Sequence, residues 1–105
     1  MSDYYLVITS WPDFDDASQH ARSWLDKKLV ASVNILPQMH SIYLWKGKFK
    51  SGNEHQMLLK TTADKVELLE NTIRQQHPYP VAEILRVAID SGNPDYLQWI
   101  SKATR

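Results

Sequence analysis

The sequence predicts a single α+β domain spanning residues 1–105. Three observations lead there. Aromatic and β-branched runs alternate with stretches of helical periodicity. Turn-forming residues fall between those stretches. No internal repeat, low-complexity tract or linker divides the chain. At 105 residues the chain supports one core with little to spare, since a domain of this size buries roughly two-thirds of its unfolded surface.

The elements follow in order. Tyr4 to Thr9 reads as a buried strand, broken by Trp11-Pro12-Asp13. Asp13 caps a helix, with Asp16 in its first turn, and Phe14, Ala17, Ala21, Trp24, Leu25 and Lys28 fall on one face. Val30 to Leu36 is strand-like and ends at Pro37. Ser41 to Lys46 alternates, with Ile42 and Leu44 on one side and Tyr43 and Trp45 on the other. A further strand lies near Glu54 to Thr62, and the two make a hairpin. Lys46-Gly47-Lys48 and Ser51-Gly52-Asn53 compete for its turn. Thr61-x-x-Asp64 resembles a capping box. An amphipathic helix follows through Val66, Leu69, Glu70, Ile73 and His77, and Pro78 and Pro80 end it. Glu83 to Asp90 is a strand, and Asn93-Pro94 starts a last helix that packs through Tyr96, Trp99, Ile100 and Ala103.

The order is βαββαβ with an additional C-terminal helix. Two βαβ-type halves sharing an antiparallel sheet, with helices on one face, make a ferredoxin-like sandwich. The central hairpin is long for so small a domain. Its exposed edge, carrying Tyr43 and Trp45, invites pairing with another subunit.

Composition removes several function classes. Twelve Lys and Arg balance twelve Asp and Glu, so no net charge favours nucleic acid or an anionic membrane. Lys46, Lys48 and Lys50 alternate as a solvated strand face does. There is no cysteine, which excludes disulfides and thiolate chemistry and fits a reducing, cytoplasmic setting. The opening MSDYYLVITS does not read as a signal peptide, and no apolar run is long enough to span a membrane. Without cysteine, a GxSxG motif or a glycine-rich phosphate loop, the chain is not equipped as an enzyme.

Five segments, in order along nearly the whole chain, carry a resemblance: Ala31-Ser32-Val33-Asn34-Ile35-Leu36-Pro37, Ser41-Ile42-Tyr43-Leu44-Trp45-Lys46-Gly47-Lys48, Glu54-His55-Gln56-Met57-Leu58-Leu59-Lys60-Thr61, His77-Pro78-Tyr79 with Glu83-Ile84, and Tyr96-Leu97-Gln98-Trp99-Ile100. Together they resemble the CutA family of divalent-cation tolerance proteins. The resemblance implies a ferredoxin-like fold, a homotrimer joined through the long hairpins, and architectural kinship with PII signalling proteins, whose ligands sit between subunits. It also implies a link to copper and other divalent cations, and no enzymatic activity is established for that family. Some bacterial relatives are credited with copper binding through two cysteines and the histidine of the HPY segment. Thr9 and Ser32 stand at the cysteine positions here, and neither hydroxyl replaces a thiolate toward Cu(I). Ala82 stands where relatives often carry proline.

The metal candidates are therefore His77 and Glu83, for copper or zinc. The structural alternative for His77 is a cap on the preceding helix. His20, His40 and His55 share no metal-ligand spacing and read as surface residues. Glu54, Lys60, Tyr79 and Glu83, with the aromatics Tyr43, Trp45, Tyr96 and Trp99, are candidates to line an inter-subunit cleft for a small molecule or protein. The competing reading is an interface network of charge pairs and packed rings.

Overall fold

The computed structural model describes residues 2–105. The elements are β1 (Tyr4–Trp11), α1 (Phe14–Asp26), β2 (Ser32–Ile35), β3 (Met39–Trp45), β4 (Lys48–Thr62), α2 (Ala63–Gln76), β5 (Ile84–Ala88) and α3 (Pro94–Ala103). The strands form an antiparallel sheet in the order β2-β4-β1-β5, and β3 pairs with β4 alone. The α+β class is as expected; the expected βαββαβ order is modified, because the strand facing β4 is interrupted around Pro37 into β2 and β3, leaving three strands between α1 and α2.

Period-two alternation decides which residues meet the helices. Val7 and Trp11 of β1 and Met57 and Leu59 of β4 pack against Ala17, Ala21 and Trp24 of α1 and Val66, Leu69 and Ile73 of α2. Both core indoles satisfy their N–H groups. Trp11 Nε1 donates to Asp16 Oδ2 at 2.6 Å, and Trp24 Nε1 donates to Gln76 Oε1 at 2.9 Å, tying α1 to α2. The opposite face of the sheet carries Leu6, Ile8, Leu58, Leu85 and Val87 by the same alternation. Helix α3 meets that face where the Tyr4 hydroxyl lies 2.6 Å from Ser101 Oγ and Ile100 is buried. Leu85 and Val87 stay exposed.

Several boundaries differ from the sequence reading. β1 continues through Ser10 to Trp11, because Trp11 is a fully buried core residue and not a strand breaker. The hairpin turns at Lys46-Gly47, flanked by the paired Trp45 and Lys48. Both turn residues have positive φ, 52° and 76°, as a two-residue turn matched to strand twist requires. Ser51-Gly52-Asn53 consequently lies inside β4, which is 15 residues long. The capping box at Thr61 does not form: Thr62 is the N-cap, without a side-chain bond, and Thr61 Oγ1 donates to the Leu29 carbonyl at 2.7 Å. Asp13 does cap α1, accepting from the Asp16 N–H at 2.9 Å. Lys28 leaves that helix in a left-handed conformation, φ 60°. The Lys28 and Leu29 N–H groups turn back to the carbonyls of Leu25 and Trp24, a helix stop usually made with glycine.

The hairpin projects. The radius of gyration is 14.4 Å and the longest extent 45 Å, against a radius of about 13 Å for a compact domain of this length.

Candidate functional site

Where the hairpin meets the body of the sheet lies a cavity of about 610 Å³. Three segments build it. Ser41, Tyr43 and Trp45 of β3 and Lys50, Gly52 and Glu54 of β4 share one face of the hairpin, because Ser41 pairs with Gly52 and Tyr43 with Lys50. The link after α2 brings Tyr79, Pro80, Val81 and Glu83 to the same opening. Ser10 closes the base. Five of the expected cleft residues, Tyr43, Trp45, Glu54, Tyr79 and Glu83, therefore line one space.

The other three do not join them. Lys60 shares the strand face of Glu54, as the alternation predicts, but lies six residues on, about 20 Å along an extended strand. Its ammonium bonds Asn34 Oδ1 instead. Tyr96 and Trp99 stack on each other along α3 with centroids 5.6 Å apart, half exposed and away from the cavity. Lys50 was not among the expected residues, although its parity with Glu54 places it there. Val81 and Ser10 had no comparable signal, since only the path of the chain brings them in.

Within the cavity the Tyr79 phenol lies near the Glu54 carboxylate. Partial burial, then the charge of Glu54 and the nearness of Tyr43, pushes that phenol above its ordinary value. Glu83 accepts only long bonds, 3.4 Å each, from Gln56 Nε2.

His77 stands behind the wall. Its backbone caps α2, donating to the Ile73 carbonyl at 2.9 Å. Its ring is buried against Trp11, centroids 4.4 Å apart. Nδ1 accepts from the Tyr79 N–H at 3.1 Å, so the proton sits on Nε2, which donates to the Ser10 carbonyl at 2.6 Å. Both nitrogens are thus engaged, and the ring offers no free lone pair to a metal. As placed within one chain, the ring is not directed to pair with Glu83 for copper or zinc, and its bonds fit a helix-end and wall-positioning role. Thr9 and Ser32 lie on opposite faces of the sheet, beside Met57 and opposite Lys60 respectively, so those positions do not converge within one chain. Both hydroxyls are buried without a hydrogen-bond partner. Among the described residues no three His, Cys, Asp or Glu side chains group to suit a metal ion. Of the remaining histidines, His20 lies 3.6 Å from Asp16, and His55 Nδ1 is 2.9 Å from the Leu36 carbonyl.

The chain is similar to characterised proteins over almost its whole length. It is 34% identical over 105 residues to the divalent-cation tolerance protein CutA of Pectobacterium atrosepticum, covering 100% of this chain and 96% of that one. It is 41% identical over 98 residues to protein CutA of Mus musculus, covering 93% of this chain but 55% of the mouse protein. The chain thus spans little more than half the length of its animal relatives. The crystal structure of CutA from Xylella fastidiosa superposes with a TM-score of 0.94 at 35% identity, covering 99% of this chain and 100% of that one. Residues 5–103 match the family described as CutA1 divalent ion tolerance protein, and the chain belongs to that family.

Proposed function

We propose that the protein serves divalent-cation tolerance as a non-catalytic binding protein, a homotrimer of ferredoxin-like sandwiches whose ligand sits in the cleft at the hairpin base. The observation that carries this is the hairpin itself. Ile42, Leu44 and Phe49 are 70, 63 and 85% exposed in the single chain. A projecting two-stranded ribbon with apolar side chains on both faces is marginal in water, and a second chain that covers it supplies the missing burial. The bare sheet face bearing Leu85 and Val87 adds to the same surface.

The cation link does not run through His77, whose ring is spent on Ser10 and Tyr79. The oxygen donors Glu54 and Glu83 are what one chain offers, and carboxylate suits hard cations better than Cu(I). Two carboxylates are too few for a tight site.

Light scattering and calorimetric titration of Zn(II) and Cu(II) on one sample test this reading. Expected are a mass three times the 12.2 kDa of one chain and weak cation binding that is unchanged in His77→Phe. A 12.2 kDa particle at micromolar concentration overturns the trimer. Stoichiometric Cu(II) binding lost in that variant restores His77 as a ligand.

A further inference from the structure

We propose that the cavity at the hairpin base binds a small organic amine in its ammonium form. This rests on the cleft reading above and gives that cleft a ligand class.

The argument starts from charge. Glu54 and Glu83 both face the cavity, and among the described residues neither has an ion-pair partner. Glu54 is half-buried, with the Tyr79 phenol beside it. Even a phenol that donates there leaves most of a carboxylate's lone pairs open. Glu83 keeps only its two long bonds from Gln56. The site therefore holds acceptors for a multi-donor cation.

The walls select which cation. Tyr43, Trp45 and Tyr79 present aromatic rings and Val81 an aliphatic surface. A calcium or magnesium ion needs six or more oxygen ligands or an intact water shell, and zinc or copper(II) about four donors; two carboxylates, rings and a valine supply neither set. An alkylammonium matches both halves of the lining. Its N–H groups donate to the carboxylates, while its body lies on ring faces that attract a cation. Lys50, the one cationic side chain in the lining, pairs in register with Tyr43, four residues from Glu54 and about 13 Å along the strand. It fixes the polarity of the site, with the ammonium toward Glu54 and Glu83 and the ligand's far end uncharged or acidic. A ligand cationic at both ends meets Lys50 and is disfavoured.

Three probes of one chain length test this: pentylammonium, pentanol and valerate, titrated into the assembled protein and followed by the Trp45 indole N–H resonance. Pentylammonium is expected to bind about tenfold tighter than pentanol or valerate, the worth of one charge-assisted hydrogen bond. Glu54→Gln removes that margin, whereas Tyr79→Phe, which removes the neighbouring phenol but keeps the charge, retains it. Should Glu54→Gln fail to assemble, Glu83→Gln reads the same margin from the exposed carboxylate. Pentanol binding as tightly as pentylammonium, valerate binding tighter, or Tyr79→Phe losing as much as Glu54→Gln each overturns the ammonium assignment while leaving the cleft in place. Probes that perturb resonances elsewhere but not Trp45 overturn the cleft reading itself.

Discussion

Strand β4 runs through two regions that obey opposite rules. In its second half Met57, Leu59 and Thr61 alternate with half-buried neighbours and are fully covered by the helices. In its first half every residue from Lys48 to Asn53 is exposed, including Phe49. The backbone ladder is continuous across both, so hydrogen bonding does not make the difference. What changes is whether a helix seals the face. The sealed half is complete in one chain. The unsealed half is more polar but still leaves Phe49 bare, and on the proposed trimer it is the part of the fold that a second chain finishes.

The sharpest way to break that contrast is to cut into each region separately. Leu69→Ala removes a fully buried side chain from the sealed core and is expected to cost about 2–5 kcal/mol. That is a large share of the stability of a small domain, and a urea titration reads it as a lower midpoint. The paired Leu44→Ser and Phe49→Ser changes, at positions 63 and 85% exposed, are expected to leave the far-ultraviolet dichroism intact while the assembly falls to single-chain mass. Equal loss of folded structure from both variants would show that the hairpin belongs to the core.

The same contrast explains what was readable in the sequence. Helix faces and strand alternation in the sealed half report burial directly, so Ala17, Ala21, Trp24, Val66, Leu69 and Ile73 are legible residue by residue. Trp11 was not, because Pro12 and Asp13 beside it look like a break, and only the tertiary pocket under α1 shows the indole as core. Ser51-Gly52-Asn53 reads as a turn on composition, yet the Lys46-Gly47 turn fixes the register and carries the strand past it. At the site, parity alone groups Glu54 with Lys60. Distance along the strand then separates them, and a one-dimensional pattern does not contain that distance. The two bonds of the His77 ring are likewise invisible before the link folds back over Ser10.

His77 joins the sealed region to the cavity wall. His77→Phe keeps a ring against Trp11 but leaves the Ser10 carbonyl and the Tyr79 N–H without their partner. The expected loss is about 2–3 kcal/mol, the cost of stranding buried polar groups. It should appear as a lower unfolding midpoint, with slower-relaxing Tyr79 signals replaced by averaged ones. An unchanged midpoint would mean that the link is held by its prolines alone.

Two buried hydroxyls refine the comparison with smaller effects. Thr9 Oγ1 lies on the sealed face, fully buried and without a partner. Thr9→Val keeps the shape and removes the stranded group, for an expected gain of about 1 kcal/mol by thermal unfolding. Ser32 Oγ is equally unpartnered but lies on the open face, in a residue that is only half-buried. Ser32→Ala is expected to gain less. A larger gain from Ser32→Ala would argue that its stranded hydroxyl costs more than that of Thr9.

The smallest expected effect is a pH dependence seated where the two regions meet. Burial and the Glu54 carboxylate raise the Tyr79 phenol above its ordinary 10.0. The fold therefore favours the protonated form. In the unfolded chain the phenol ionises at about its ordinary value, so alkaline solution draws the equilibrium toward unfolding before the native phenol gives up its proton. The stabilisation is complete below pH 10.0 and drains away as pH rises through the higher native value. Tyr79 is 39% exposed, so solvent screening keeps the effect modest. Unfolding midpoints between pH 8 and pH 11 (an arbitrary bracket of about three units around the phenol range) should fall more steeply in the parent than in Tyr79→Phe. Parallel curves would mean that the Tyr79–Glu54 contact is not maintained in solution, and the acidic end of the cavity would then be open to any cation that reaches it.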